Sequence, residues 1–297
     1  MRILITGAQG QLGRDMVASA QNSGYDTVAL GRDRLDITRT ENVRRTIEDI
    51  SPDLVINCAA YTAVDRAEQE AELAFAVNRD GPSHMAASCS KLAIPLIHIS
   101  TDYVFDGRKQ GPYRESDPIC PLNAYGRSKA AGESAIQRNT DRFIILRTAW
   151  VFGAHGNNFV GTMLRLGCEK ETIRVVDDQV GCPTFTGSLA HAIISIAGRY
   201  RLQSDLDWGI YHYGGQPPVS WHGFAKQIFK TARQAGLPLK LNRLEAISTR
   251  EYPTAAERAA NSVLDNRKIE RVFDIEVESW HAGLQKVVGH YCHSLEK

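Results

Sequence analysis

The chain of 297 residues is 43% hydrophobic and 23% charged, enough apolar side chain for a full core and too much for disorder as its main state. A formal net charge of +1 gives no broad basic footprint, which argues against nucleic acid or an anionic membrane surface as partner. The six cysteines are scattered, with no CxxC pair and no histidine at zinc-ligand spacing, so reduced thiols in a cytoplasmic protein without a metal site are expected.

Met1 to Gly7 run straight into a strand and a glycine turn, so no signal peptide is expected, and no apolar run approaches the ~18 residues of a membrane span. Strands are expected at Arg2–Thr6, Thr27–Leu30, Leu54–Asn57, Leu96–Ser100 and Phe143–Arg147, alternating with longer amphipathic stretches. Between the first two, Gln11 to Asn22 reads as a helix that Gly24 stops; Ala63 to Leu92 is long enough for a crossover helix broken near its start. Right-handed crossovers stack these strands into an α/β fold, a Rossmann-type doubly wound parallel sheet over residues 1–152. After Trp150, glycine and asparagine cluster at Gly153, Gly156, Asn157 and Asn158, followed by a helical stretch through Leu166. A smaller α/β substrate-binding region is therefore expected over 153–297, with later segments returning to the first. A helix at Ser188–Tyr200, a strand at Ile210–Tyr213 and helices near Trp221–Ala235 and Ser279–His290 follow. The loops Asp177–Phe185 and Ser248–Ser262 have the composition of ligand-facing connections.

Gly7, Gly10 and Gly13 form a GxxGxxG turn between the first strand and helix. A dinucleotide pyrophosphate needs close backbone approach, and the helix N-terminus offers N–H donors and a favourable dipole. The spacing differs from GxGxxG; its place inside an N-terminal strand–turn–helix is what separates a nucleotide site from a plain turn. Arg32, at the end of the second strand, lies where an adenosine ribose belongs. A guanidinium there pairs with the 2′-phosphate of NADP, whereas an acid suits the 2′-hydroxyl of NAD. NADPH is the expected cofactor and NADH stays open, since Arg32 can also be a solvated loop residue. Asp36 can accept from the adenine amino group or cap the following helix, and Ile37 beside it is counted with the cofactor. Small residues in Asn57-Cys58-Ala59-Ala60-Tyr61-Thr62 let a cofactor cross the sheet edge, or serve helix packing.

Tyr125 and Lys129 form a YxxxK pair at the start of an expected helix. A spacing of four puts both on one face, so the ammonium can approach the phenol and lower its pKa from about 10. YxxxK is frequent by chance. Ser100-Thr101-Asp102, at the end of the fourth strand, adds a hydroxyl, that of Thr101, placed to bond the same substrate oxygen. The implied step is hydride transfer from a nicotinamide to a carbonyl, with Tyr125 as proton donor and Lys129 holding the nicotinamide ribose.

These residues together resemble the extended short-chain dehydrogenases and, within them, the dTDP-4-dehydrorhamnose reductases. The resemblance is carried by Gly7 to Gly13, Cys58 to Glu68, Ser100 to Phe105, Tyr125 to Lys129, Arg147 to Trp150, Gly156 to Phe159 and Asp178 to Thr184. It implies that Gly10, Gln11, Leu12, Ala60, Tyr61 and Thr62 line the cofactor. It also implies that Thr101, Asp102, Trp150, Asn158 and Arg258 meet the substrate, a dTDP-keto sugar, dTDP-4-dehydro-L-rhamnose, whose product is a donor for cell-surface polysaccharide. The chain departs from the family where Arg258 is followed by Ala259 rather than proline, which removes a fixed φ from that loop. Some members form dimers bridged by a divalent cation; this sequence has no distinctive metal cluster, so monomer or homodimer, and Mg2+, stay open. Three other readings remain: a sugar-nucleotide epimerase, which shows no net NADPH consumption, a reductase of another dTDP-keto sugar, and a non-catalytic nucleotide-sensing regulatory subunit, which binds cofactor without turnover.

Overall fold

Ile3, Leu4 and Ile5 are fully buried, yet Ile3 and Ile5 join one apolar cluster and Leu4 another, because successive side chains of a strand point to opposite faces. A strand buried on both faces belongs inside a parallel sheet. In the computed structural model, which describes residues 1–295, this is β1 (Arg2–Thr6), followed by α1 (Gln11–Asn22), β2 (Asp26–Leu30), α2 (Thr40–Ile50) and β3 (Leu54–Asn57). Next come α3 (Ala71–Phe75), a π-helical turn at Ala76–Asp80, α4 (Gly81–Lys91), β4 (Leu96–Thr101), α5 (Ala124–Asn139) and β5 (Phe143–Thr148).

The rest of the chain supplies β6 (Val151–Phe152), α6 (Phe159–Glu169), β7 (Thr172–Val176), β8 (Val180–Gly181), β9 (Thr184–Phe185), α7 (Thr186–Gln203) and β10 (Gly209–Tyr213). It ends with β11 (Val219–Ser220), α8 (Trp221–Gln234), β12 (Arg243–Ile247), α9 (Arg267–Phe273) and α10 (Trp280–Leu295).

Six strands form the central sheet in the order β10-β5-β4-β3-β1-β2, every pair parallel. The order reverses between β1 and β3, the switch point at which open α/β sheets bind ligands. On one face α1, α7 and α9 bury Met16, Ile193 and Phe273 against Ile3 and Ile5; on the other α2, α4 and α5 bury Val43, Met85 and Ile136 against Leu4 and Val55. A separate apolar cluster joins α6, α8 and α10 to β7 through Met163, Phe224, Trp280 and Ile173. Among the described residues no helix is long and apolar enough to cross a membrane.

The sheet strands and α1 lie where the residue pattern puts them. The expected single crossover helix over 63–92 is instead a 3-10 turn at Arg66–Glu68, then α3, the π turn and α4. The π turn seats Asn78, whose amide accepts from Tyr61 N (2.9 Å) and donates to Tyr61 O and the Ser128 hydroxyl (both 3.0 Å). A π turn exposes backbone geometry that a regular helix hides, and here it pins the end of β3 to α5. The parallel pair β7–β12 and the helix α9 were not expected from the pattern, and the loop over 177–185 contains β8 and β9.

Candidate active site

The glycine turn brings β1, α1 and the end of β3 into contact. Gly7 has φ +65° and a Cβ there would lie 2.5 Å from the Ala59 nitrogen. A Cβ on Gly13 would lie 2.1 Å from the Gly7 carbonyl oxygen, so α1 is seated on the turn itself. Gly10 precedes α1 in extended conformation with no side-chain cap, which leaves the first N–H groups of the helix facing outward for an anion.

A groove of about 380 Å³ opens there, lined by Gly7, Gly10, Arg32, Asp36, Ile37, Ala60 and Tyr61, within the range of cofactor sites. Arg66, Glu70, Leu73 and Val77 also line it; none was singled out from residue pattern, because the 3-10 turn at Arg66–Glu68, the start of α3 and the π turn together carry them to the groove. The residues fit a dinucleotide: a backbone cradle for the pyrophosphate, a guanidinium at the end of β2, and apolar side chains beside it. Six expected contacts lie off this wall, Tyr125 and Lys129 among them. Gly13 and Leu12 pack inward, Thr62 is exposed, and the Gln11 amide donates to Val151 O (3.1 Å) and accepts from Asn158 (2.7 Å). Asp36 does not cap α2, whose N-cap is Arg39. Its carboxylate accepts from the Thr38 hydroxyl (2.7 Å) and N–H (3.0 Å), and the hydroxyl bond holds its pKa below the ordinary value.

Thr101 ends β4 and Tyr125 opens α5, where Asn123 caps the helix by accepting from Gly126 N at 2.8 Å. Both are buried, as is Lys129 one turn further on. The Thr101 hydroxyl donates to Asp102 Oδ1 (2.9 Å) and also lies against the Tyr125 phenol. Burial raises the Asp102 pKa to about 6, opposed by hydroxyl bonds from Ser262 and Thr101.

The expected effect of Lys129 on the phenol is absent here. Burial pushes the Tyr125 pKa above 10, with Thr101 opposing, and Lys129 is not among its causes. The lysine is instead drawn back to β4: Nζ donates to Ile99 O (2.6 Å) and lies 3.1 Å from His98 Nε2. Burial lowers its own pKa to about 8, against the pull of Glu133 and Cys58. The phenol therefore holds its proton, the state a general acid requires. Beneath it, Glu133 and Arg147 form a buried bidentate ion pair (2.9 and 2.7 Å), and the Ser100 hydroxyl donates to Glu133 (2.5 Å).

On the far side of Thr101, Trp150 adopts φ +46° and stacks on Trp221 with ring centroids 3.5 Å apart. With Asp102, Tyr103, Gln179, Arg258 and Ser262 the pair encloses a slot of only about 20 Å³, room for about one water. Gln179 and Ser262 come from the two loops expected to face ligand, though neither was singled out, and Trp221 was not foreseen. The Arg258 guanidinium already engages Asp65 (2.9 and 2.7 Å), so a diphosphate would meet an ion pair there. Asn158 is not at the slot: it caps α6 by accepting from Gly161 N (3.0 Å) and donates to Gln11 and Gly153 O. The loop that lacks the family's proline is pinned without it, since Val180 N donates to Ala260 O, and the Asn261 amide donates to Lys109 O and Gly111 O, each at 2.8 Å. Among the described residues no group of three or more His, Cys, Asp or Glu side chains is placed to hold a metal ion.

The RmlD substrate binding domain family matches residues 1–292. The chain is 44% identical over 287 residues to a dTDP-4-dehydrorhamnose reductase of Aggregatibacter actinomycetemcomitans, covering 96% of this chain and 98% of that one. It is 38% identical over 285 residues to the spore coat polysaccharide biosynthesis protein SpsK of Bacillus subtilis (strain 168), 96% of each. A crystal structure of dTDP-4-dehydrorhamnose reductase from Bacillus anthracis str. Ames in complex with NADP is similar at a TM-score of 0.88 and 37% identity, over 96% of this chain and 98% of that one. Because the similarity runs through the slot-forming half as well as the nucleotide-binding half, the chain belongs to the dTDP-4-dehydrorhamnose reductase family.

Proposed function

We propose that this chain reduces the 4-keto group of dTDP-4-dehydro-L-rhamnose with NADPH, giving dTDP-L-rhamnose. The observation that carries this reading is the buried trio of Thr101, Tyr125 and Lys129, with Thr101 bonded to Asp102 of the Trp150 slot and Lys129 facing Cys58 of the glycine groove. Bound NADPH supplies the hydride. Tyr125, kept neutral by burial, gives its proton to the oxygen that becomes the hydroxyl, so one hydride and one proton convert the ketone to the alcohol. Thr101 steadies that oxygen through its hydroxyl, and Lys129 offers its remaining N–H to the ribose hydroxyls. Trp150 gives the sugar an apolar platform, and Asp102 accepts from its hydroxyls.

Arg32 on the groove wall supports NADPH over NADH, as does the NADP in the Bacillus anthracis relative. The name of the Bacillus subtilis relative, a spore coat polysaccharide biosynthesis protein, supports a place in polysaccharide synthesis. The six free cysteines support a reducing, cytoplasmic setting. The test is to follow NADPH absorbance with dTDP-4-dehydro-L-rhamnose as substrate. Wild type is expected to oxidise NADPH stoichiometrically with product, and Tyr125→Phe to lose roughly 10²–10⁴-fold in kcat. A folded wild type that binds NADPH and leaves this substrate unreduced would overturn the reading.

A further inference from the structure

Behind Lys129 runs a buried polar chain that the proposed reaction does not use. Its members are Thr6 on β1, Asn57 on β3 and His98 on β4, all within 1% of complete burial. The Thr6 hydroxyl donates to Asn57 Oδ1 (2.7 Å), and so does the backbone N–H of Ala59 (3.0 Å). Asn57 Nδ2 lies 2.9 Å from His98 Nδ1, and His98 Nε2 lies 3.1 Å from Lys129 Nζ.

The direction of this chain is set by its backbone end. An amide oxygen and nitrogen exchange places easily in a structure, and a histidine chooses between two tautomers, but a backbone N–H can only donate. Turning the Asn57 amide would set its NH2 against Ala59 N–H, so Oδ1 stays on Ala59 and Nδ2 donates to His98 Nδ1. A neutral imidazole whose Nδ1 accepts carries its proton on Nε2. That N–H points at Lys129. An ammonium at Nζ would bring two donors together, whereas a neutral amine can turn its lone pair to Nε2–H and still donate to Ile99 O.

We propose that His98 is a positioning residue, which presents Nε2–H to Lys129 and so favours, in the free protein, a neutral amine with its lone pair facing β4. The proposal rests on the reading of Lys129 as the working lysine of a reductase. The groups that face Nζ are His98 from β4, the Cys58 thiol just beyond β3 and, along α5, Glu133 with its Arg147 partner from β5; Tyr125 lies one turn back. Burial lowers the Lys129 pKa to about 8, and the facing donor acts in the same direction. Burial likewise lowers the His98 pKa far below its ordinary value, so the imidazole stays neutral.

Two measurements on the free protein test this. The first is the His98 tautomer in wild type, read by long-range 1H–15N correlation and assigned by its loss in His98→Gln. A proton on Nε2 supports the proposal, and a proton on Nδ1 overturns it. The second is the titration of the Lys129 side-chain amine by 15N NMR, assigned by its loss in Lys129→Met. A glutamine can turn its oxygen to Nζ, so His98→Gln is expected to raise the midpoint by about one pH unit, the worth of one hydrogen bond. The limb of the kcat/KM profile that belongs to the free protein moves with it. A midpoint that falls or stays in place overturns the proposal, because His98 would then have been accepting from an ammonium. Should His98→Gln not fold, the wild-type tautomer, assigned through backbone-linked correlations, decides alone. Failure of the reductase reading shows separately, as wild-type protein that does not oxidise NADPH.

Discussion

Asp102 is a carboxyl with two hydroxyl partners and almost no water, and its behaviour with pH follows from that. Its pKa rises from 3.8 unfolded to about 6 folded, so the folded chain binds the proton more tightly than the unfolded one. The associated stability is whole below about 4 and is lost as pH rises through about 6, a loss of about 3 kcal/mol. Asp102→Asn keeps the accepting oxygen and removes the charge. It is expected to be more stable than wild type at pH 8, with the gap closing toward pH 4; urea midpoints at the two values check this, and a pH-independent gap contradicts it. Arg32 carries a second expectation: Arg32→Ala should cost NADPH about 10–100-fold in kcat/KM, the worth of a charge-assisted hydrogen bond, and leave NADH unchanged. Equal losses with both cofactors would return Arg32 to the role of a solvated loop residue. Tyr125, Lys129 and Thr101 were legible in the sequence because a motif spacing and a strand end announce them. Asn57 and His98 were not, because within apolar strands they look like ordinary interior residues until the sheet order sets β1, β3 and β4 side by side. The position of Lys129 escaped for the same reason: its partner is a strand carbonyl, which no side-chain pattern encodes.

At the scale of elements, Asn158 shows how a residue from a matching stretch can serve the scaffold. Its oxygen caps α6 and its nitrogen bridges to Gln11 on α1. Asn158→Ala is expected to cost about 1–2 kcal/mol of stability with little change in KM for the sugar nucleotide; a large rise in KM at unchanged stability would place it at the substrate after all. The Glu133–Arg147 pair joins α5 to β5 with both side chains at most 3% exposed. Breaking it with Arg147→Met strands a buried carboxylate and should cost about 3–5 kcal/mol, measurable by denaturant unfolding. The elements that pattern missed have physical reasons. Thr172–Val176 does alternate exposed and buried, but its partner is Arg243–Ile247, distant in sequence, and that strand contains the helix formers Leu244, Glu245 and Ala246. Pairing between distant segments decides these strands, where local preference does not.

In the whole molecule the chain crosses between its two apolar regions more than once. It leaves the sheet after β5, builds β6 to β9, returns with α7 and β10, leaves for β11, α8 and β12, returns with α9, and leaves again for α10. The sheet edge is closed by β10, register-paired with β5 from Ile144 to Thr148, and α1 is covered by α7. A fragment of residues 1–152 lacks both, so it is expected to show no cooperative urea transition, whereas the full chain unfolds with one. A sharp transition in the fragment would mean that the first half holds its core unaided. The same topology bears on synthesis. While the ribosome makes the roughly 60 residues between β5 and β10, at about 5–20 residues per second, β5 waits for roughly 3–12 seconds with its outer hydrogen-bonding edge open. That edge carries Ile144, Ile145 and Leu146, all buried in the finished protein, and an open apolar edge pairs readily with other chains. The interval in which this chain is most exposed to misassembly therefore falls in mid-translation, and codons or chaperones that alter its length should change yield without touching the folded enzyme.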